Sequence, residues 1–234
     1  FTSEEEWLKG FSNPVIIEKN LQGHKRFIRE LDPDFIKLMS DGYFAYPNPV
    51  IAKGKSLQEL AEIQPLGEDH PWIREQVELV KKIKQEFTED IVAIYNIFAP
   101  VTYLKWLLGE VSGGDDLVAD FLVRDSQKLK KVLDVIAQDI ASLSQAIIKD
   151  AGADSIYLSV QSIQDARVSV EDYQEIIAPS ELTVLNAAKS VGGVNILHIC
   201  GYEGARNDIH IFADYPAHVF NWAVGPEGIS LKEG

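Results

Sequence analysis

His198 and Cys200 are the residues whose types and spacing most clearly suggest chemistry. Cys200 is the only cysteine among the 234 residues, and it follows the mainly apolar run 194–199. If that run is a β-strand, side chains two residues apart share a face, so the imidazole and the thiol point the same way. Such a pair suits Zn²⁺. A lone cysteine is also commonly a small buried hydrophobe, and that alternative stays open.

Other polar or aromatic side chains follow other apolar runs of the sequence. We predict strands over 35–39, 91–98, 155–160, 194–200 and 218–222, because these runs are short, apolar and bounded by turn residues. The candidate functional residues at or after the strand ends are the carboxylate Asp41 and, as substrate contacts, Tyr43, Trp106, Gln161, Ser162, Tyr202 and Asn221. Each candidate also has an ordinary alternative, such as a turn for Asp41, a core position for Trp106 or a backbone contact for Asn221.

Helices are predicted before the first strand, at 15–31, and between the strands, at 70–87, 101–110, 125–148 and 179–190. Repeated βα units with apolar strands indicate a parallel sheet covered by helices. A doubly wound sheet and a (β/α)₈ TIM barrel both fit. Neither Gly-x-Gly-x-x-Gly nor a Walker-type loop follows a strand, which disfavours a nucleotide-binding sheet. Functional groups of a TIM barrel lie at the C-terminal ends of its strands, where the candidates fall.

We therefore predict an α/β TIM barrel in which residues 1–234 form a single domain. Five strands preceded by a helix correspond to a barrel that lacks its first strand and its last units. Met39 is the only methionine, so Phe1 is not a natural initiator and we expect a longer product.

The composition of the chain disfavours several kinds of binding partner and location. The net charge of −14 disfavours binding to nucleic acids and to anionic membranes. No apolar run approaches the roughly 18 residues of a transmembrane span. A single cysteine excludes an internal disulfide and fits a reducing, cytoplasmic location.

Five segments in order resemble the uroporphyrinogen decarboxylase superfamily of (β/α)₈ barrels. This superfamily also contains zinc-dependent methylcobalamin:coenzyme M methyltransferases. The segments are 35–42, which is like the family's strand ending in a Ser-Asp step; 97–102, Ile-Phe-Ala-Pro-Val-Thr, which is like its Phe-x-x-Pro-x-Thr segment; 150–154 with Ala-Gly-Ala-Asp; 198–201 with His-Ile-Cys-Gly; and 219–222 with Val-Phe-Asn-Trp.

The resemblance implies two chemistries. In the methyltransferase branch, zinc is held by a His-x-Cys pair and a second, distant cysteine. His198 and Cys200 match the pair, and the second cysteine would fall beyond Gly234. A methyl-corrinoid, carried by a corrinoid protein, would methylate a thiol. In the decarboxylase branch, no cofactor is used, the substrate is a tetrapyrrole of porphyrin biosynthesis, and Asp41 matches the aspartate that binds pyrrole N–H groups. The expectation leans towards methyl transfer. A non-catalytic barrel that binds a tetrapyrrole or corrinoid is a third alternative, and the decarboxylase branch implies a homodimer.

Overall fold

Five parallel strands form the centre of the protein, for which a computed structural model describes residues 14–39, 46–53, 56–87, 91–108, 114–201 and 204–234. The strands pair in chain order, each with the next. The sheet curls into a half-barrel, so the predicted parallel α/β barrel architecture is confirmed to that extent. The strands are β1 Phe35–Leu38, β2 Val92–Phe98, β3 Ser155–Val160, β4 Ile196–Ile199 and β5 Val219–Trp222.

Helices follow the strands and cover the convex face of the sheet. Side chains of β3 and β4 that point to this face, such as Ile156, Leu158 and Leu197, are fully buried against them. The helices are α1 Pro14–Leu31, α2 Pro49–Lys53, α3 Leu57–Leu60, α4 Pro71–Lys84, α5 Pro100–Leu108, α6 Gly114–Lys149, α7 Val170–Asp172, α8 Ala178–Ser190 and α9 Val224–Glu227. Among the residues described, no helix is both long and apolar enough to cross a bilayer.

Helix α1 holds the C-terminal end of β1. The Asn20 side-chain amide donates to the Met39 carbonyl at 2.7 Å, and the Met39 N–H donates to His24 Nε2 at 3.1 Å. His24 Nδ1 in turn donates to the Asn20 carbonyl at 2.8 Å. Both backbone groups of Met39 are therefore fixed by one helix, immediately before the Ser-Asp step at 40–41.

Helix α6 is broken where the sequence predicts a new helix. Asp125 has extended backbone angles, φ −165° and ψ 85°. Its carboxylate accepts the Lys128 N–H at 3.1 Å, which is the hydrogen bond of an N-cap residue. The prediction that a long helix begins at Asp125 is confirmed, with a preceding helical segment joined to it across the kink.

A π-helical turn, Tyr173–Ile177, lies between α7 and α8. The Ala178 N–H donates to the carbonyl of Tyr173, five residues back. Tyr173 and Glu181 both point into the protein, where the tyrosine hydroxyl donates to Glu181 Oε1 at 2.9 Å. Such turns inside α-helices are uncommon and are found frequently near functional sites.

Candidate functional site

The concave face of the sheet carries several polar side chains. Because side chains alternate along a strand, residues next to one another in the parallel register point to the same face. This rule places Ser159, His198 and Asn221 in one row across β3, β4 and β5. The interior of a TIM barrel is usually filled by branched apolar side chains, so a polar row indicates a site. The polar residues of the strands on this face are Lys37, Asn96, Ser155, Tyr157, Ser159, His198 and Asn221.

Asn221 fixes the orientation of His198. Its Oδ1 accepts two hydrogen bonds, one from the Tyr157 hydroxyl at 2.7 Å and one from His198 Nδ1 at 2.7 Å. An amide oxygen can only accept, so Nδ1 carries the proton and the lone pair of the neutral ring is on Nε2. Burial lowers the pKa of His198, and the positive charge of Lys37 lowers it further against the opposing hydrogen bonds of Asn221. His198 is therefore a neutral imidazole at neutral pH.

Tyr157 covers one side of that imidazole. The two rings stack with centroids 4.9 Å apart and planes 29° from parallel. Lys37 Nζ lies 4.1 Å from the centroid of the tyrosine ring, close enough for a cation–π contact. Burial, with a smaller contribution from Cys200, raises the pKa of Tyr157 to about 12. The phenol therefore stays protonated and keeps donating to Asn221.

Cys200 directly follows β4, and its backbone is held on both sides. Its N–H donates to the Val160 carbonyl at 2.8 Å, which continues the pairing of β4 with β3. Its carbonyl accepts from Gln161 Nε2 at 3.2 Å. Cys200 is a free cysteine, and the residue is partly exposed. It is therefore not among the fully buried residues of the core.

Gln161 is fixed by an ion pair that the sequence did not indicate. Lys105 on α5 has a side chain only 3% exposed, and its Nζ lies 2.7 Å from Asp115 Oδ1. The same ammonium donates to Gln161 Oε1 at 3.1 Å. Lysine is seldom buried unless it is paired, so nothing in the sequence separates Lys105 from a surface residue.

Ser162 belongs to a second buried network that joins three strand ends. Its N–H and its hydroxyl both donate to Asn207 Oδ1, at 2.8 and 3.1 Å. Asn207 in turn donates its N–H and side-chain amide to the Glu227 carboxylate, at 2.8 and 2.7 Å. A Cβ atom on Gly201 would overlap that carboxylate. The ends of β3, β4 and β5 are thus connected through residues distant in sequence.

Trp106 lies in an aromatic cluster beside the site. Its ring packs edge-on against Phe98, with centroids 4.3 Å apart, and against Tyr103 at 6.2 Å. Trp106 is partly buried, and these ring contacts show that it packs against its aromatic neighbours. Asp41, Tyr43 and Tyr202, the other predicted site residues, lie outside the described residues.

Among the predicted site residues, two pairs are in direct contact: His198 with Asn221, and Gln161 with the Cys200 carbonyl. Trp106 and Ser162 belong to other clusters. Sequence reasoning missed Lys37 and Tyr157 because it considered polar groups only at strand ends. The signal was present as polar side chains alternating with apolar ones inside the strands.

His198 and Cys200 supply an imidazole nitrogen and a sulfur, both of which are ligands of Zn²⁺. The described part of the chain contains no group of three or more His, Cys, Asp or Glu residues able to hold a metal ion. The two donor types suit zinc, and the parallel register puts His198 on the concave face.

Comparison with known proteins agrees with the half-barrel fold. The family model described as uroporphyrinogen decarboxylase (URO-D) matches residues 39–229. No curated protein matches the chain. The matched range contains β2 to β5 and nearly all of the contacts described above. The chain belongs to the uroporphyrinogen decarboxylase family, whose members are barrel enzymes.

Proposed function

We propose that this protein is a zinc-dependent methyltransferase that transfers a methyl group from a methyl-corrinoid to a thiol. The observation that carries the proposal is the hydrogen bond between His198 Nδ1 and Asn221 Oδ1 at 2.7 Å. Histidines that bind metals almost always donate their other N–H to a carbonyl or carboxylate oxygen. His198 meets that condition in advance, with its Nε2 lone pair available on the face that it shares with Cys200.

The residues of the site would have distinct roles in this reaction. His198 and Cys200 would hold the zinc ion, Asn221 would orient the imidazole, and Tyr157 would cover it on one side. Bound zinc supplies Lewis acidity that keeps an acceptor thiol deprotonated at neutral pH. In the transfer, the carbon–cobalt bond of the methyl-corrinoid breaks, a carbon–sulfur bond forms, cobalt keeps the bonding electron pair, and the thiol proton goes to solvent.

Metal analysis of the purified protein tests the zinc site. After growth and purification with added zinc, we expect about one zinc ion per chain. His198→Ala and Cys200→Ala should each lose most of it. His210→Ala is the matched control, because His210 is exposed and lies in the 3₁₀ turn Ile209–Phe212 outside the sheet, and it should keep the wild-type content. A wild-type protein without zinc removes the methyltransferase proposal.

Activity is measured as the thiol-dependent loss of the methyl group from methylcobalamin, followed by absorbance. The wild type should catalyse it and the two ligand variants should not. A zinc-loaded wild type that leaves methylcobalamin unchanged with every thiol tried would contradict methyl transfer.

Decarboxylation of uroporphyrinogen is the second candidate function. It is favoured by the description of the matching family and by Lys37, a cation on the concave face that could contact a carboxylated substrate. In this reaction Asp41 would be the central carboxylate. We expect Asp41→Asn to abolish decarboxylation without unfolding the protein, with the exposed Asp34→Asn as control. Wild-type turnover by Asp41→Asn would assign Asp41 to a turn. If the wild type catalyses neither reaction, the third alternative, a non-catalytic tetrapyrrole- or corrinoid-binding barrel, is favoured.

A further inference from the structure

The position of Cys200 depends on a side chain from the neighbouring strand end. Gln161 follows β3 directly, and its Nε2 donates to the Cys200 carbonyl at 3.2 Å. The Cys200 N–H is already paired with Val160 at 2.8 Å. Both backbone polar groups of Cys200 are therefore hydrogen-bonded to residues at the end of β3. Its side chain is the part of the residue that these hydrogen bonds leave able to rotate.

The amide of Gln161 has one orientation. Lys105 has three N–H donors and no acceptor, so the atom that faces it at 3.1 Å must be the amide oxygen. The Cys200 carbonyl can only accept, so the atom that faces it must be the amide nitrogen. The two neighbours therefore select the same rotamer, and Asp115, 2.7 Å from the ammonium, holds Lys105 in place.

The backbone of Gln161 is held as well. The Tyr173 hydroxyl lies 3.3 Å from the Gln161 carbonyl oxygen and also contacts Glu181. The residue after Cys200 is constrained from the opposite side, because the Glu227 carboxylate fills the position that a Cβ on Gly201 would take. Glu227 is completely buried. The backbone of Cys200 is thus held by the end of β3, and that of the next residue is packed against α9, without any ligand.

We propose that Gln161 is a positioning residue for Cys200, and that the buried Lys105–Asp115 pair maintains its orientation. The proposal rests on the proposed function in one respect, since Cys200 is taken as a zinc ligand. A ligand held in place before the metal arrives loses less conformational freedom when the metal binds, so affinity is greater. Residues that orient metal ligands typically contribute about 10- to 100-fold to metal affinity.

Two substitutions of Gln161 test this role. Gln161→Leu removes both side-chain hydrogen bonds, and Gln161→Asn keeps the amide but shortens its reach. Gln145→Leu is the matched control, because Gln145 contacts Ser190 on the surface of the protein. We expect both Gln161 variants to bind zinc about 10- to 100-fold more weakly in competition with a chelator. The control should bind as the wild type does.

A second measurement does not need the metal. In metal-free protein, the rate of iodoacetamide modification at Cys200, located by peptide mass spectrometry, should rise in both Gln161 variants. A general loss of stability would not single out this site, so urea unfolding of all four proteins is measured in parallel. Zinc affinity equal to wild type in both variants overturns the proposal. If the wild type binds no zinc, the proposed function fails by itself, and an unchanged alkylation rate then overturns the role of Gln161.

Discussion

At the scale of single residues, Asn221 connects two neighbouring side chains, because its one amide oxygen accepts from both Tyr157 and His198. The sequence predicted Asn221 as a site residue from its place at the end of the last strand. It could not predict this pairing, since the three residues come from three different strands and meet only through the sheet register.

Asn221→Leu is expected to weaken zinc binding about 10- to 100-fold, because His198 loses the acceptor that fixes its tautomer. Tyr157→Phe should have a smaller effect in the same direction, since Asn221 keeps its contact with His198. Chelator competition measures both. Asn186→Leu, on the exposed surface of α8, is the control. Equal zinc affinity in Asn221→Leu and the wild type would show that His198 does not depend on this hydrogen bond.

Glu181 is a buried carboxyl group that forms no ion pair with any residue that the structure describes. It accepts from the hydroxyls of Tyr173 and Tyr215 at 2.9 and 2.6 Å. Burial raises its pKa from 4.5 to about 7, against the opposing effect of the two hydrogen bonds. The folded state therefore binds a proton more tightly than the unfolded state. The resulting stabilisation is complete below about pH 4.5 and is lost as the pH rises through about 7.

Glu181→Gln should remove this contribution to the pH dependence. Between pH 5 and 8, the free energy of unfolding of the wild type should fall relative to that of the variant by about 3 kcal/mol or less, the amount that the pKa shift allows. Urea unfolding at several pH values measures the difference between the two proteins. His198 titrates in both of them, so its own pH dependence cancels in that difference. Glu175→Gln, an exposed position on the π-helical turn, is the control. A difference that is constant with pH would contradict the assignment.

At the scale of elements, the strands and their order were predictable because apolar runs bounded by turn residues carry a strong signal. The break at Asp125 was predictable for a similar reason, since an N-cap side chain is local. The buried networks were not predictable. Ser162 and Asn207 are 45 residues apart, and Asn207 and Glu227 are 20 apart, so only the folded sheet brings them together.

Asn207→Ala is expected to destabilise the protein by about 3 kcal/mol or more. The change deletes the amide that Ser162 and Glu227 share and leaves the carboxylate of Glu227 with fewer donors in a site closed to water. Urea unfolding measures the loss. Asn186→Ala should leave stability nearly unchanged, because that side chain lies on an exposed helix face. A loss below about 1 kcal/mol would show that water replaces the missing donors.

At the scale of the whole molecule, the described sheet has two edges, β1 and β5, each paired on one side only. The N-terminal ends of the strands carry exposed apolar side chains on the concave face, in contrast with the polar middle. These are Phe35, Val92, Val194 and Val219. Exposed apolar surface next to a strand edge favours association.

We therefore expect the 234-residue chain to associate with itself as its concentration rises. Val219→Lys should weaken the association about 10-fold or more, the equivalent of the roughly 1.5 kcal/mol gained by burying a valine. Val123→Lys is the matched control, because Val123 is 64% exposed on helix α6, while Val219 is 46% exposed on the concave face. Sedimentation velocity measures both. An unchanged dissociation constant for Val219→Lys would place the contact elsewhere.

The π-helical turn at Tyr173–Ile177 has a consequence for how the length of this segment can vary. Successive residues of an α-helix are about 100° apart, so two residues eight positions apart would be about 80° out of line. The π-helical turn contains one more residue than an α-helical turn, so the side chains of Tyr173 and Glu181 come to the same side and are hydrogen-bonded. Deleting one residue from 174–176 would give a regular α-helix in which the same two side chains, now seven apart, differ by only about 20°. Homologous chains one residue shorter here can therefore keep the same tyrosine–glutamate contact.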